Sequence, residues 1–71
     1  MKTTAELILL LRQRYAAYET EPLCGVVIES LGEHSSPNWR ARTEPELCGP
    51  AKRSWIYAYA SVRQEFELDA A

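Results

Sequence analysis

Helix-breaking residues divide this chain before any other feature is considered. All of its prolines and glycines fall at positions 22, 25, 32, 37, 45, 49 and 50, so the two ends are free to form helices and the middle must turn repeatedly. The first end uses that freedom. Thr3 and Glu6 have the spacing of a capping box, and Leu7, Ile8, Leu11, Tyr15 and Tyr18 follow at helical intervals, which predicts a helix over 3–19 with those five on its buried side. Leu9 and Ala16 point the other way. Pro22 closes the segment.

The middle reads as two strands. Val26-Val27-Ile28 is a β-branched run between Gly25 and Gly32, and Trp39-Arg40-Ala41-Arg42-Thr43 alternates apolar with charged, as a strand with one dry face does. The polar stretch from Glu33 to Asn38 suits the turn between them, so residues 23–31 and 39–44 are expected to form a β-hairpin. Trp39, Ala41 and Thr43 would face the helices, leaving Arg40 and Arg42 to water or to a partner.

Pro50 suits the first turn of a second helix, for which Trp55, Ala58, Tyr59, Val62 and Phe66 supply a stripe at spacings of three and four. A strand through the alternating aromatics at 55, 57 and 59 is the competing assignment, but only the helical period reaches Val62 and Phe66. The expectation is therefore an α+β fold, a single small domain of helix, hairpin and helix, with the last helix over about 50–67. Ile56, Tyr57 and Leu68 fall off the stripe and, with Leu9, are left over once a core is assigned.

Size and charge exclude much. At 71 residues the chain can bury one small core, which rules out a doubly wound nucleotide-binding sheet or a barrel. The longest apolar run, Leu7 to Leu11, is far short of the roughly 20 residues that span a bilayer, and no cleavable leader pattern follows it. No membrane association and a cytoplasmic location are the expectations. A formal net charge of -2 disfavours nucleic acid as a default partner.

Nothing here spells a chemistry. The carboxylates are scattered at caps, turns and polar faces, His34 stands alone in a polar loop, and the glycines cannot write a phosphate-binding loop. Cys24 and Cys48 lack the spacing of a metal or redox pair, and are expected to be reduced and buried. The stretch from Thr20 to Gly25 is echoed from Thr43 to Gly49 with one inserted residue, which reads as two similar chain breaks. A cavity of several hundred Å³ is hard to fit inside such a core. A non-enzymatic protein without metal or cofactor is expected.

In length, acidity, the use of six Arg to two Lys and the lack of catalytic motifs, the chain resembles the small accessory proteins with which temperate phages of Gram-negative bacteria inhibit host proteins. That resemblance, in size and composition, implies occlusion of a functional surface on a host protein such as a defence complex or a transcription regulator, with no turnover and no cofactor. The residues left outside the core point the same way: a protein-interaction module, pairing as a homodimer, that contacts its partner through Leu9, Arg12, Arg40, Arg42, Arg53, Ile56 and Tyr57. The alternative is a nucleic-acid-binding regulator whose basic face combines Arg40 and Arg42 with Arg12, Arg14, Lys52 and Arg53. Whichever holds, the second helical stripe must be packed, so Trp55→Ala should cost about 3–5 kcal/mol. An unchanged melting temperature would remove Trp55 from the core.

Overall fold

Residues 1–20, 22–23, 25–32, 34 and 36–69 of the protein are described by a computed structural model. Helix α1 (Thr4–Ala16) begins as its sequence demands: the Thr3 hydroxyl accepts from the Glu6 amide at 3.2 Å, and the Glu6 carboxylate accepts from the Thr3 amide at 3.1 Å. Leu7, Leu11 and Tyr15 form its buried stripe, while Ile8 is only half-buried. Tyr18 departs from the expected stripe. The helix ends at Ala16, and a tighter turn, with the Tyr18 amide bonded to the Tyr15 carbonyl, swings the Tyr18 ring out to 64% exposure.

Strands β1 (Gly25–Ser30) and β2 (Trp39–Glu44) pair antiparallel as a two-stranded sheet. Val26 lies opposite Thr43, Ile28 opposite Ala41 and Ser30 opposite Trp39 on the face turned to the helices. Trp39 and Thr43 are buried there, and Val26, Ile28 and Ala41 pack against the core. The other face carries Val27, Glu29, Arg40, Arg42 and Glu44. The expected hairpin is thus present with its predicted dry side.

Helix α2 (Gly49–Glu65) starts from a left-handed glycine, Gly49 at φ 64°, with Pro50 in its first turn. A side chain would be strained at that φ, and glycine makes the turn cheap. Ala51, Ser54, Trp55, Ala58 and Val62 are buried, and Ala51 and Ser54 are small residues outside the predicted stripe. Tyr59 is the aromatic hinge of the core. Its ring stacks on Trp55 at 5.7 Å and meets Trp39 edge-on at 5.9 Å.

The end of the chain corrects the sequence reading. The expected helix runs to residue 67, but α2 stops at Glu65 and Phe66 takes up extended geometry, φ −129° and ψ 144°. The side-chain period falls from 3.6 to 2. Leu68 therefore shares the face of Phe66 and is 5% exposed, a core residue and not a surplus one. The extended segment is held on both sides: the Lys2 amide donates to the Glu67 carbonyl at 2.9 Å and the Asp69 amide to the Lys2 carbonyl at 2.7 Å, while the Asn38 side chain bonds both the amide and the carbonyl of Leu68 at 2.8 Å. Leu68→Ala is expected to cost about 2–5 kcal/mol and Leu9→Ala, on the outward side of α1, under about 0.5 kcal/mol. Equal melting temperatures for the two variants would place the tail outside the core.

Candidate interaction surface

The seven residues singled out from the sequence are divided among three parts of the surface. Arg40 and Arg42 project from the outer face of the hairpin, where both grip one carboxylate. Arg40 Nη2 lies 2.9 Å from Glu29 Oε2, Arg42 Nη1 bonds Glu29 Oε1, and Arg42 Nη2 reaches Glu44 at 2.8 Å. The strand register produces this cluster by setting Glu29 directly opposite Arg40 with Arg42 two residues on. Hydrogen bonds from Arg40, then its charge and that of Arg42, hold the Glu29 carboxyl below its ordinary value.

Ile56 and Tyr57 are both more than half exposed, yet one residue of helical rotation sends them to different sides of α2. Ile56 faces the β2 side. There a cleft of about 410 Å³ lies between the strand and the helix, lined by Ala41, Arg42, Thr43, Leu47, Trp55, Ile56 and Tyr59, with Glu46 and Lys52 at one end. A second cleft of about 490 Å³ continues along α2 past Ile56, Tyr59 and Ala60 to Pro37, Arg63 and Gln64. The expectation of no roomy cavity concerned the interior. These clefts lie on the surface, outside the packed core.

Tyr57 turns toward the end of α1, where its ring centroid is 6.4 Å from that of Tyr18. Arg53 stands one helical turn before it and is exposed. Leu9 and Arg12 belong to the outward half of α1; Leu9 is 56% exposed, and Arg12 Nη1 donates to the Leu23 carbonyl at 2.8 Å. The structure thus brings Arg42 and Ile56 to one cleft and Arg53 and Tyr57 to one helix side, and it leaves Leu9 apart from both. Sequence reasoning missed Ala60 and Arg63 as surface residues, and it placed Tyr59 on the core stripe, where the ring does pack, without its second place on the wall of both clefts. The spacing of Ile56, Ala60 and Arg63 at four and three was the available signal, but without the position of β2 it marks only a solvated helix face.

The basic face considered from the sequence is largely neutralised. Arg14 is tied to Glu65 at 2.7 Å and to the Ser61 hydroxyl, Lys52 lies 3.5 Å from Glu46, and the hairpin arginines hold Glu29 and Glu44. Cys48 also departs from expectation. It is exposed and unbonded at the start of α2, where its sulfur makes no capping bond, because the residue before a helix is left outside the core. Cys24, Glu21 and the pairing of the two chain breaks lie outside the described residues. His34 is exposed. Among the described residues no group of three His, Cys, Asp or Glu could hold a metal ion, and no helix is long and apolar enough to cross a membrane.

Comparison with known proteins returns no matching family, no similar curated protein and no similar solved structure. The surface must therefore be read from its own chemistry.

Three carboxyls are held low by their partners: Glu29 by Arg40 and Arg42, Glu65 by Arg14, and Glu6 by the Thr3 amide and hydroxyl. A carboxyl depressed in the folded state contributes stability above its unfolded value, near 4.5 for Glu, and that contribution is lost as the pH falls through the folded value. Melting temperature should accordingly drop as pH is lowered below about 4.5, and Glu29→Gln should flatten that drop. A Glu29→Gln profile parallel to the parent's would show that the cluster contributes nothing.

Proposed function

We propose that the protein is a small non-catalytic interaction module that binds a host protein in the cytoplasm and modulates or inhibits it by covering a functional surface. The observation that carries this reading is the pair of clefts along α2, in which Ile56 is 51% exposed beside aromatic and aliphatic walls, with cationic side chains at the rim. An exposed isoleucine set in an apolar cleft supports a recognition role, and Tyr59, Arg42 and Arg63 around Ile56 are of the residue types that interfaces favour.

The homodimer draws on the same surplus of apolar side chains. With Leu68 in the core, that surplus is reduced to Leu9, Ile56 and Tyr57, on different sides of the molecule. Association with an unlike protein is the better supported form. The nucleic-acid alternative is weakened by the formal net charge of -2, which sets a repulsive long-range field against a polyanion.

The test is affinity capture from a nuclease-treated bacterial lysate, with the retained proteins identified by mass spectrometry. One host protein at near-stoichiometric yield is expected, lost with Ile56→Glu and weakened with Arg40→Glu combined with Arg42→Glu, all variants remaining folded by circular dichroism. Retention that depends on nucleic acid would replace this reading with the alternative.

A further inference from the structure

The hairpin register fixes which way each backbone group of β2 points. The Leu31 amide donates to the Asn38 carbonyl at 2.8 Å, one step beyond the pair Ser30 and Trp39. Hydrogen-bonded and non-bonded pairs alternate along an antiparallel ladder, so Arg40, Arg42 and Glu44 turn their amides and carbonyls to β1. Trp39, Ala41 and Thr43 turn theirs outward. The bond from Arg63 Nε to the Trp39 carbonyl, at 3.0 Å, shows that outward direction directly. Ala41 and Thr43 line the first cleft, and their outward amides and carbonyls have no partner among the described residues. Trp39 is fully buried and its carbonyl is taken by Arg63, so the open part of this edge is the backbone of Ala41 and Thr43 where it borders the cleft, and an unpaired edge is a template for another strand.

We propose that β2 takes up an extended segment of the partner protein as an added strand, with alternate apolar side chains of that segment seated against α2. This rests on the interaction reading above and specifies its mode. Ala41–Thr43 offers an open edge of about 7 Å, and the stretch of α2 from Lys52 to Gln64 that lines the clefts is about 18 Å long, so a short ladder anchors a segment whose side chains run along the helix. Each apolar side chain pointing inward would meet Leu47, Ile56, Tyr59 or Ala60. Side chains pointing outward would lie beside Arg40 and Arg42, on the flank of those arginines away from Glu29. The cleft walls add Lys52 and Arg63 against the single carboxylate of Glu46. The segment that fits is one in which apolar residues alternate with Asp or Glu.

A second copy of this chain fits less well. Packed helices stand about 8–10 Å apart but paired strands only about 4.8 Å, so a partner β2 bonded to this edge would drive its own α2 into the space that α2 already fills. A segment that carries no helix beneath it avoids the clash.

The experiment uses the full chain as bait for a displayed library of random peptides, followed by amide hydrogen exchange with the enriched peptides bound. Sequences alternating apolar with acidic residues are expected to be enriched, and binding should slow exchange at Ala41 and Thr43 about tenfold or more while leaving Arg40 and Arg42, already bonded to β1, unchanged. Ile56→Glu should abolish capture. Ala41→Pro should do so too, since it removes an outward amide and no bond to β1; the retained exchange pattern of β1 verifies its fold. Failure to enrich such sequences, or unaltered exchange at Ala41 and Thr43, overturns strand addition. A host protein still captured by Ile56→Glu but lost with Tyr57→Ser or Arg53→Glu would leave the interaction reading standing and remove this mode of binding.

Discussion

The burial of Trp39 holds the structure together. Its side chain is fully buried, its indole N–H donates to the Phe66 carbonyl at 2.9 Å, and its ring meets Tyr59 edge-on. One residue thereby joins the hairpin, the second helix and the extended tail. Its neighbour Asn38 grips Leu68 through both side-chain atoms, and Lys2 closes the other side of the tail. A two-stranded sheet is marginal in water. This one is stable because the start of β2 is bolted to helix α2 and to the segment that follows it.

The same attachment creates the open edge. Because α2 runs back along β2 from Lys52 to Arg63, it covers the start of the strand's outer edge at Trp39 and leaves Ala41 and Thr43 as one wall of a cleft whose other wall is α2. The hairpin's charges are arranged around this edge. Glu29 and Glu44 neutralise Arg40 and Arg42 within the fold, which keeps the outer face solvated. Such exposed pairs contribute little to stability, so the arginines are free to be shared with a carboxylate on an added strand.

Most of the architecture was legible from the chain because its signals are local. The Thr3–Glu6 box, the β-branched Val26-Val27-Ile28 run and the three-and-four spacing through Trp55, Ala58 and Val62 each specify an element within a few residues. The misread positions share one cause. Tyr18 and Leu68 were assigned by extending a helical period beyond the point where the backbone left the helix, outward for Tyr18 and inward for Leu68. Periodicity gives no terminus of its own, and neither end carries a glycine to mark it. For the site, the sequence found Arg42 and Ile56 as residues left outside the core. It gave no reason to set them together.

What the sequence determined is therefore the order and type of the elements, the dry side of the hairpin and a surplus of large side chains, since these follow from spacing along the chain. What only the tertiary structure decided is where that surplus faces. The alignment of β2 with α2 depends on contacts between residues 24 and 27 positions apart, from Trp39 to Arg63 and Phe66, and such contacts leave no periodic trace. They make an exposed isoleucine the floor of a cleft, and they turn the backbone of Ala41 and Thr43 into an unpaired edge.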